Sequence, residues 1–311
     1  MMKREKTDFK RLKKEIYNNR YIYLLLSFGV IFLLIFAYVP MRGILLAFKQ
    51  YKPKLGIMGS PWVGLKHFRR LFSEPEFFRA LKNTLIISVG HLLVGFAPPI
   101  ILAILISELG GKRFKKISQT ILTFPHFLSW VIVAVIAKHL FEYDGVINQL
   151  LGIFGMEPQL FLANKTFFRP LLYISSVWKE AGWSSIIYLA AIAAINPELH
   201  EAACVDGANR LQRIIHITLP GIRSMIVMQL LLSIGGIMSG GGFDQVFNMY
   251  NTAVLSVGDN LSTYIYRITF EKGGDFGFST AVGLFSSVVN FSVLMVFNRI
   301  SRKVEGHGLI G

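Results

Sequence analysis

The sequence predicts an all-α membrane protein with six transmembrane helices, and three observations carry that prediction. Of 311 residues, 53% are hydrophobic and only 16% charged, against about 25% charged in an ordinary soluble domain; mean hydropathy is +0.50. The apolar residues gather into six runs, approximately 21–48, 81–107, 117–140, 169–195, 217–238 and 278–300. Each approaches or exceeds the roughly 20 residues a helix needs to cross about 30 Å of hydrocarbon. Basic residues flank the runs, and helix is the conformation expected of them because lipid offers no partner to an open backbone amide.

Taken in order, residues 1–20 form a basic N-terminal arm with eight Lys or Arg: Lys3, Arg4, Lys6, Lys10, Arg11, Lys13, Lys14 and Arg20. Residues 9–17 mix apolar and basic residues as an interfacial helix does, or as a solvated tail obeying the positive-inside rule does. Run 21–48 follows basic residues as a signal peptide would. It is too long, no small-residue cleavage site follows, and it reads as a retained signal anchor. In the loop 56–79, Gly59-Ser60-Pro61-Trp62 precedes Phe68, Phe72, Phe77 and Phe78, which suggests a turn and a short helix at the outer interface.

With six spans, the arm, the link Lys112-Arg113-Phe114-Lys115-Lys116 and the tail residues Arg299, Arg302 and Lys303 share one side. Their excess of Lys and Arg makes that side the cytoplasm, with both termini inside. The segments 139–168 and 239–277 are sparse in basic residues, as outer loops should be. One segment disagrees: Lys49, Lys52, Lys54, Lys66, Arg69, Arg70 and Arg79 fall outside. The basic leader of the first helix outweighs them. The net charge of +15 points to anionic membrane lipid and not to nucleic acid, because the charges border the spans.

Several chemistries are absent. The lone Cys204 excludes an intramolecular disulfide or a CxxC site, and no GxxxxGK[ST] loop is present to cradle phosphate. His200-Glu201 begins like HExxH but lacks the second His that zinc would need, so no metal and no cofactor is expected on this chain. Gly235-Gly236 and Gly240-Gly241-Gly242 lack a following lysine and read as an unwound turn where the fifth run meets the outer side.

Polar and aromatic groups inside the runs mark a candidate pathway: Trp178, Lys179, Glu180 and Trp183 near mid-membrane, with Gln229, Ser233 and Asn290. Indole faces suit the CH face of a pyranose. Plainer readings stand beside these: Trp as interface anchor, Gln229 and Asn290 as inter-helix bonds, Lys179 as partner of an acid on another subunit. Asp244 and Asp259 meet a binding protein or only water, and His126 is a packed helix residue before it is a proton relay.

Between the fourth and fifth runs, Pro197 and Glu198 suit the first turn of a helix over 198–208. Ala202, Ala203 and Ala208 allow close approach, Gly207 permits a sharp turn, and Leu219-Pro220 opens the next run with a bend. Glu201-Ala202-Ala203, then Asp206-Gly207-Ala208, then Ile217-Thr218-Leu219-Pro220 resembles the EAA loop of permease subunits in binding-protein-dependent, type I ABC importers. The stretch from Ser176 to Pro197 is similar to the preceding span of carbohydrate-type permeases. Tyr38-Val39-Pro40-Met41-Arg42-Gly43 and the stretch from Pro61 to Phe68 look like the LplB-type branch.

The resemblance implies a type I importer permease fold. Its core would cover 78–300, with five transmembrane helices and the coupling loop 196–220. A first helix and outer loop at 21–77 would precede it, and a cytoplasmic tail at 301–311 would follow. It implies a non-catalytic subunit of the bacterial cytoplasmic membrane translocating oligosaccharides or polysaccharide fragments. Its expected partners are a second homologous permease in a heterodimer, an ABC ATPase dimer holding ATP and Mg, and an extracytoplasmic solute-binding lipoprotein. Glu201, Ala202, Ala203, Asp206, Gly207, Ala208, Ile217, Leu219 and Pro220 would meet the ATPase. Two alternatives remain. A permease for a non-sugar solute would share the loop, whereas an ion-coupled secondary transporter would show paired intramembrane acids or an internal repeat; only Glu180 stands out and no repeat is visible.

Overall fold

Residues 9–305 are described by the computed structural model. Lys3, Arg4 and Lys6 of the arm, and the tail beyond 305, lie outside the described residues. Among the described residues the only strand-like pairing is one antiparallel bridge between Lys49 and Trp62; the rest of the regular structure is helical.

The helices are α1 (Phe9–Asn18), α2 (Arg20–Phe48), α3 (Lys66–Leu71), α4 (Pro75–Glu108), α5 (Lys112–Phe127), α6 (Trp130–Phe141) and α7 (Val146–Ile153). They continue with α8 (Lys165–Ala193), α9 (Pro197–Val205), α10 (Arg210–Gly221), α11 (Arg223–Gly235), α12 (Phe243–Met249), α13 (Leu261–Tyr266) and α14 (Phe276–Glu305). Helices α4, α8 and α14 run from one end of the bundle to the other, and α11 runs back. At the first end Leu71, Phe77, Tyr264 and Phe278 form one buried cluster, and Ile87, Phe168, Leu172 and Val246 a second beside it. Towards the other end Ala103, Tyr188 and Ile222 close a third. Helix α8 approaches α5 so closely that a Cβ at Gly182 would overlap the Leu122 carbonyl. A helix crossing backbone to backbone needs glycine there.

Of the six expected spans, three to five are found among the described residues. Three helices, α2, α4 and α14, are long and apolar enough to cross a membrane singly. Two expected spans are broken: 112–127 meets 130–153 at 96°, and α10 meets α11 at 60°. At the first break Pro125 sits in a single tight turn and the Ser129 hydroxyl accepts from Ile132 N, which starts a new helix; at the second, Pro220 and Gly221 end α10. Helix α8 is 29 residues long, but Lys165, Arg169, Lys179 and Glu180 interrupt its apolar run.

Two prolines leave the same signature. Pro40 follows a π-helical turn at Leu34–Tyr38, and Pro220 follows one at Ile214–Thr218. A proline removes one i→i−4 bond and crowds the carbonyl four residues back. Widening the preceding turn relieves that conflict.

Candidate functional site

The segment 196–220 forms two short helices joined by a sharp turn. The Asn196 side chain accepts from Glu198 N (3.1 Å) and Pro197 takes the first helical position, where a missing N–H costs nothing. Helix α9 ends as Asp206 N donates to Ala202 O (3.0 Å) and Ala208 N to Ala203 O (2.8 Å). Gly207 adopts φ +79°, a left-handed conformation costly for any residue with a Cβ. Asn209 and Gln212 then form a reciprocal capping box that starts α10. Arg213 Nη1 reaches back to Cys204 Sγ at 2.8 Å and ties the two arms together.

A cleft of about 380 Å³ lies between the arms, bordered by Ala203, Asp206, Gly207, Ala208 and Ile217. The outer surface is unusual for a loop. Leu199, Leu211 and Ile215 are exposed and Val205 is 88% exposed. Glu201 and Ala202 are exposed beside them, and the Glu201 carboxylate makes no hydrogen bond or ion pair among the described residues. Leu219 is half-buried and Pro220 exposed. The residues expected to couple are thus gathered on one helix–turn–helix projection.

Halfway along the bundle a cavity of about 700 Å³ opens between α4, α8 and α11. Of the expected pathway residues, Trp183, Gln229 and Ser233 line it; Trp178, Lys179, Glu180 and Asn290 do not. Ser88, His91, Ser176, Ser184 and Ser239 add further polar groups, and no Asp, Glu, Lys or Arg lines the wall. Hydroxyls, one amide and an indole face make a surface suited to a hydroxyl-rich solute. Gly236 and Gly241 line it; Gly240, Gly241 and Gly242 all have positive φ, 59°, 83° and 88°, and form the expected unwound turn, whereas Gly235 and Gly236 end α11.

The remaining residues are placed elsewhere. Asn290 Oδ1 accepts from Met238 N (2.9 Å), an inter-helix bond, and Trp178 is half-exposed on the bundle surface. Lys179 is buried and pairs within the chain. Its Nζ donates to His126 O (2.6 Å) and lies 3.0 Å from Glu180 Oε1. His126 Nδ1 lies 2.6 Å from Glu180 Oε2, and its ring stacks on Trp183 at 4.5 Å. The break between α5 and α6 frees carbonyls, and Lys179 satisfies one of them; His126 is packed, but at a helix break.

A polar clamp at the far end of the bundle was not foreseen. Asn83 Nδ2 donates to Ser256 O and Asp259 O (both 3.1 Å), and Asn83 Oδ1 accepts from Arg169 Nη2 (2.9 Å). Thr84 Oγ1 accepts from Leu261 N at 2.8 Å. Asp259, expected to face solvent or a binding protein, is fully buried and paired with Arg267. Burial alone would lower the Arg267 pKa, but Asp259 and Glu76 beside it hold it above the ordinary value. Asp244 is exposed. The signal available was Asn83-Thr84 at the start of an apolar run; their partners lie 86 to 177 residues away.

Comparison with known proteins agrees with this geometry. Residues 95–306 match the family described as "Binding-protein-dependent transport system inner membrane component". The chain is 46% identical over 310 residues to the polygalacturonan/rhamnogalacturonan transport system permease protein YteP of Bacillus subtilis (strain 168), covering 99% of this chain and 95% of that protein. It is 44% identical to Protein LplB of the same organism, covering 94% and 91%. A bacterial alginate ABC transporter, solved in complex with an alginate pentasaccharide-bound periplasmic protein, superposes with TM-score 0.87 at 40% identity, covering 96% of this chain and 100% of that one. With the match over 95–306 and 46% identity to the permease YteP over almost its whole length, this chain belongs to the family of binding-protein-dependent transport system inner membrane components and has the type I ABC importer permease fold.

Proposed function

We propose that this chain is the translocating subunit of an ATP-driven importer for oligosaccharides or polysaccharide fragments. A separate ATPase dimer, holding ATP and Mg, docks on the 196–220 projection. A second homologous permease completes the pathway in a heterodimer, and an extracytoplasmic lipoprotein delivers the solute. Both termini lie in the cytoplasm, and six spans result if each bent pair is one span and α8 is the sixth.

The observation that carries this reading is the projection itself. A rigid turn presenting Val205, Leu199, Leu211 and an unpaired Glu201 is built to be covered by a partner. Support for the sugar comes from the uncharged, serine-rich cavity beside Trp183 and from the substrates named for YteP and the alginate transporter. Power must arrive mechanically, because the sequence holds no phosphate-binding loop.

The test is reconstitution with the neighbouring permease, ATPase and binding protein. Oligosaccharide delivered by the binding protein should stimulate ATP hydrolysis, and Glu201→Lys should abolish that stimulation while leaving assembly of the membrane subunits intact. Solute uptake that persists without any ATPase would overturn the proposal.

A further inference from the structure

The seven basic residues between Lys49 and Arg79 run against the positive-inside pattern, and neither the cavity nor the projection uses them. Lys49 and Arg70 have internal roles. Lys49 is buried, and its Nζ donates to Ile57 O (2.9 Å) and Met58 O (2.8 Å) and sits 5.0 Å over the Trp62 ring. Arg70 pairs with Glu74 and Asp275. Gln50 N donates to Pro61 O, Val63 N to Phe48 O, and Lys52 N to the Ser60 hydroxyl, all at 2.9 Å. The segment is therefore a fixed hairpin, not a loose loop.

What this hairpin presents outward is a mixture. Lys52, Lys54, Lys66 and Arg69 are exposed and form no ion pair among the described residues. Interleaved with them, Leu55, Met58, Trp62, Leu65 and Phe72 are each more than half exposed. In water, a hairpin so fully bonded inside would not display five large apolar side chains. At a membrane surface, apolar groups enter the acyl boundary while Lys and Arg reach the headgroups. Position agrees. The hairpin starts where α2 ends, and the 29 residues of α2, the last ten of them in the more extended 3-10 form, reach more than about 40 Å, enough to pass from the hydrocarbon core into the headgroup layer.

We infer that residues 49–72 form a docking platform for anionic phospholipid headgroups, with Lys52, Lys54, Lys66 and Arg69 as the phosphate-facing groups and Trp62 as the anchor. Charge complementarity and membrane depth select lipid over an acidic glycan or an acidic protein face. An acidic glycan would not take up protruding aliphatic chains, and an acidic protein face would not lie at the headgroup level where a span ends.

The experiment uses the whole transporter in phosphatidylcholine vesicles doped with brominated phosphatidylglycerol or brominated phosphatidylcholine. The Trp62 signal is taken as the difference between wild type and Trp62→Phe. Brominated phosphatidylglycerol should quench it at least roughly fivefold more per mole than brominated phosphatidylcholine, the factor one basic residue contributes at an anionic surface. The combined Lys52→Gln, Lys54→Gln, Lys66→Gln and Arg69→Gln variant should bring that ratio to about one while Trp62 stays quenched by both. Equal quenching by the two lipids in the wild type would overturn the inference. So would no quenching by either, including the case where the signal responds only to the binding protein or to an acidic oligosaccharide.

Discussion

Gly182 and Asn83 show where single side chains decide this structure. A methyl group at position 182 would strike the Leu122 carbonyl, and two helix backbones cannot yield as a side-chain tip can. Gly182→Ala is expected to cost about 1–3 kcal/mol, the usual range for overpacking, read as a lowered midpoint of thermal unfolding in detergent. Asn83→Ala removes one of the two partners of Arg169, which keeps Val257 O, and leaves two backbone carbonyls of the clamp without their amide donor. Each lost buried partner costs about 1–3 kcal/mol, so this variant should unfold well below wild type, and Lys82→Ala beside it, at an exposed site, should not. At this scale the sequence was half legible. Polar residues inside apolar runs marked Lys179, Glu180 and Trp183 as special, but not what they touch. Lys179 bonds His126 O, 53 residues away in the chain, and Asp259 is buried against Arg267. Side-chain pairing across a bundle leaves no periodic trace for a single sequence to show.

The turn between α9 and α10 is the element most completely written in its residues. Asn196-Pro197, Gly207 and the Asn209–Gln212 box each occupy the position that its local chemistry favours. Gly207→Val forces a branched residue into φ +79°, at a cost of about 1–2 kcal/mol. It should sharply reduce ATP-dependent uptake with little effect on the yield of membrane-inserted protein, whereas Gly207→Asn, which tolerates that region, should retain part of the activity. Equal loss in both variants would argue that the turn's conformation is not what matters. The bends in the expected third and fifth spans were less readable. Hydropathy averaged along 117–140 runs straight across Pro125 and Ser129, although those two residues are what end one helix and start the next. Pro220 did announce its bend, because it stands at the head of its run.

Over the whole molecule, the two ends of the bundle carry different equipment. One end holds the clamp and the hairpin 49–72; the other holds the projection 196–220; the uncharged cavity lies between them. In the proposed ATP-driven cycle the clamped end would part when the projection is pushed, so removing the clamp's ion pair should loosen the resting state. Arg267→Gln is expected to raise ATP hydrolysis in the absence of solute, measured against the solute-stimulated rate in the same vesicles. Cys204, the single cysteine of the chain, is exposed on the projection and offers the most direct trial of the docking claim without any engineered residue. A short maleimide–diazirine reagent attached to Cys204 and irradiated in the intact assembly should join it to the nucleotide-hydrolysing subunit, with a yield that changes when ATP is bound. A Cys204 that reacts freely from the extracytoplasmic side, and never joins an ATPase, would contradict the account.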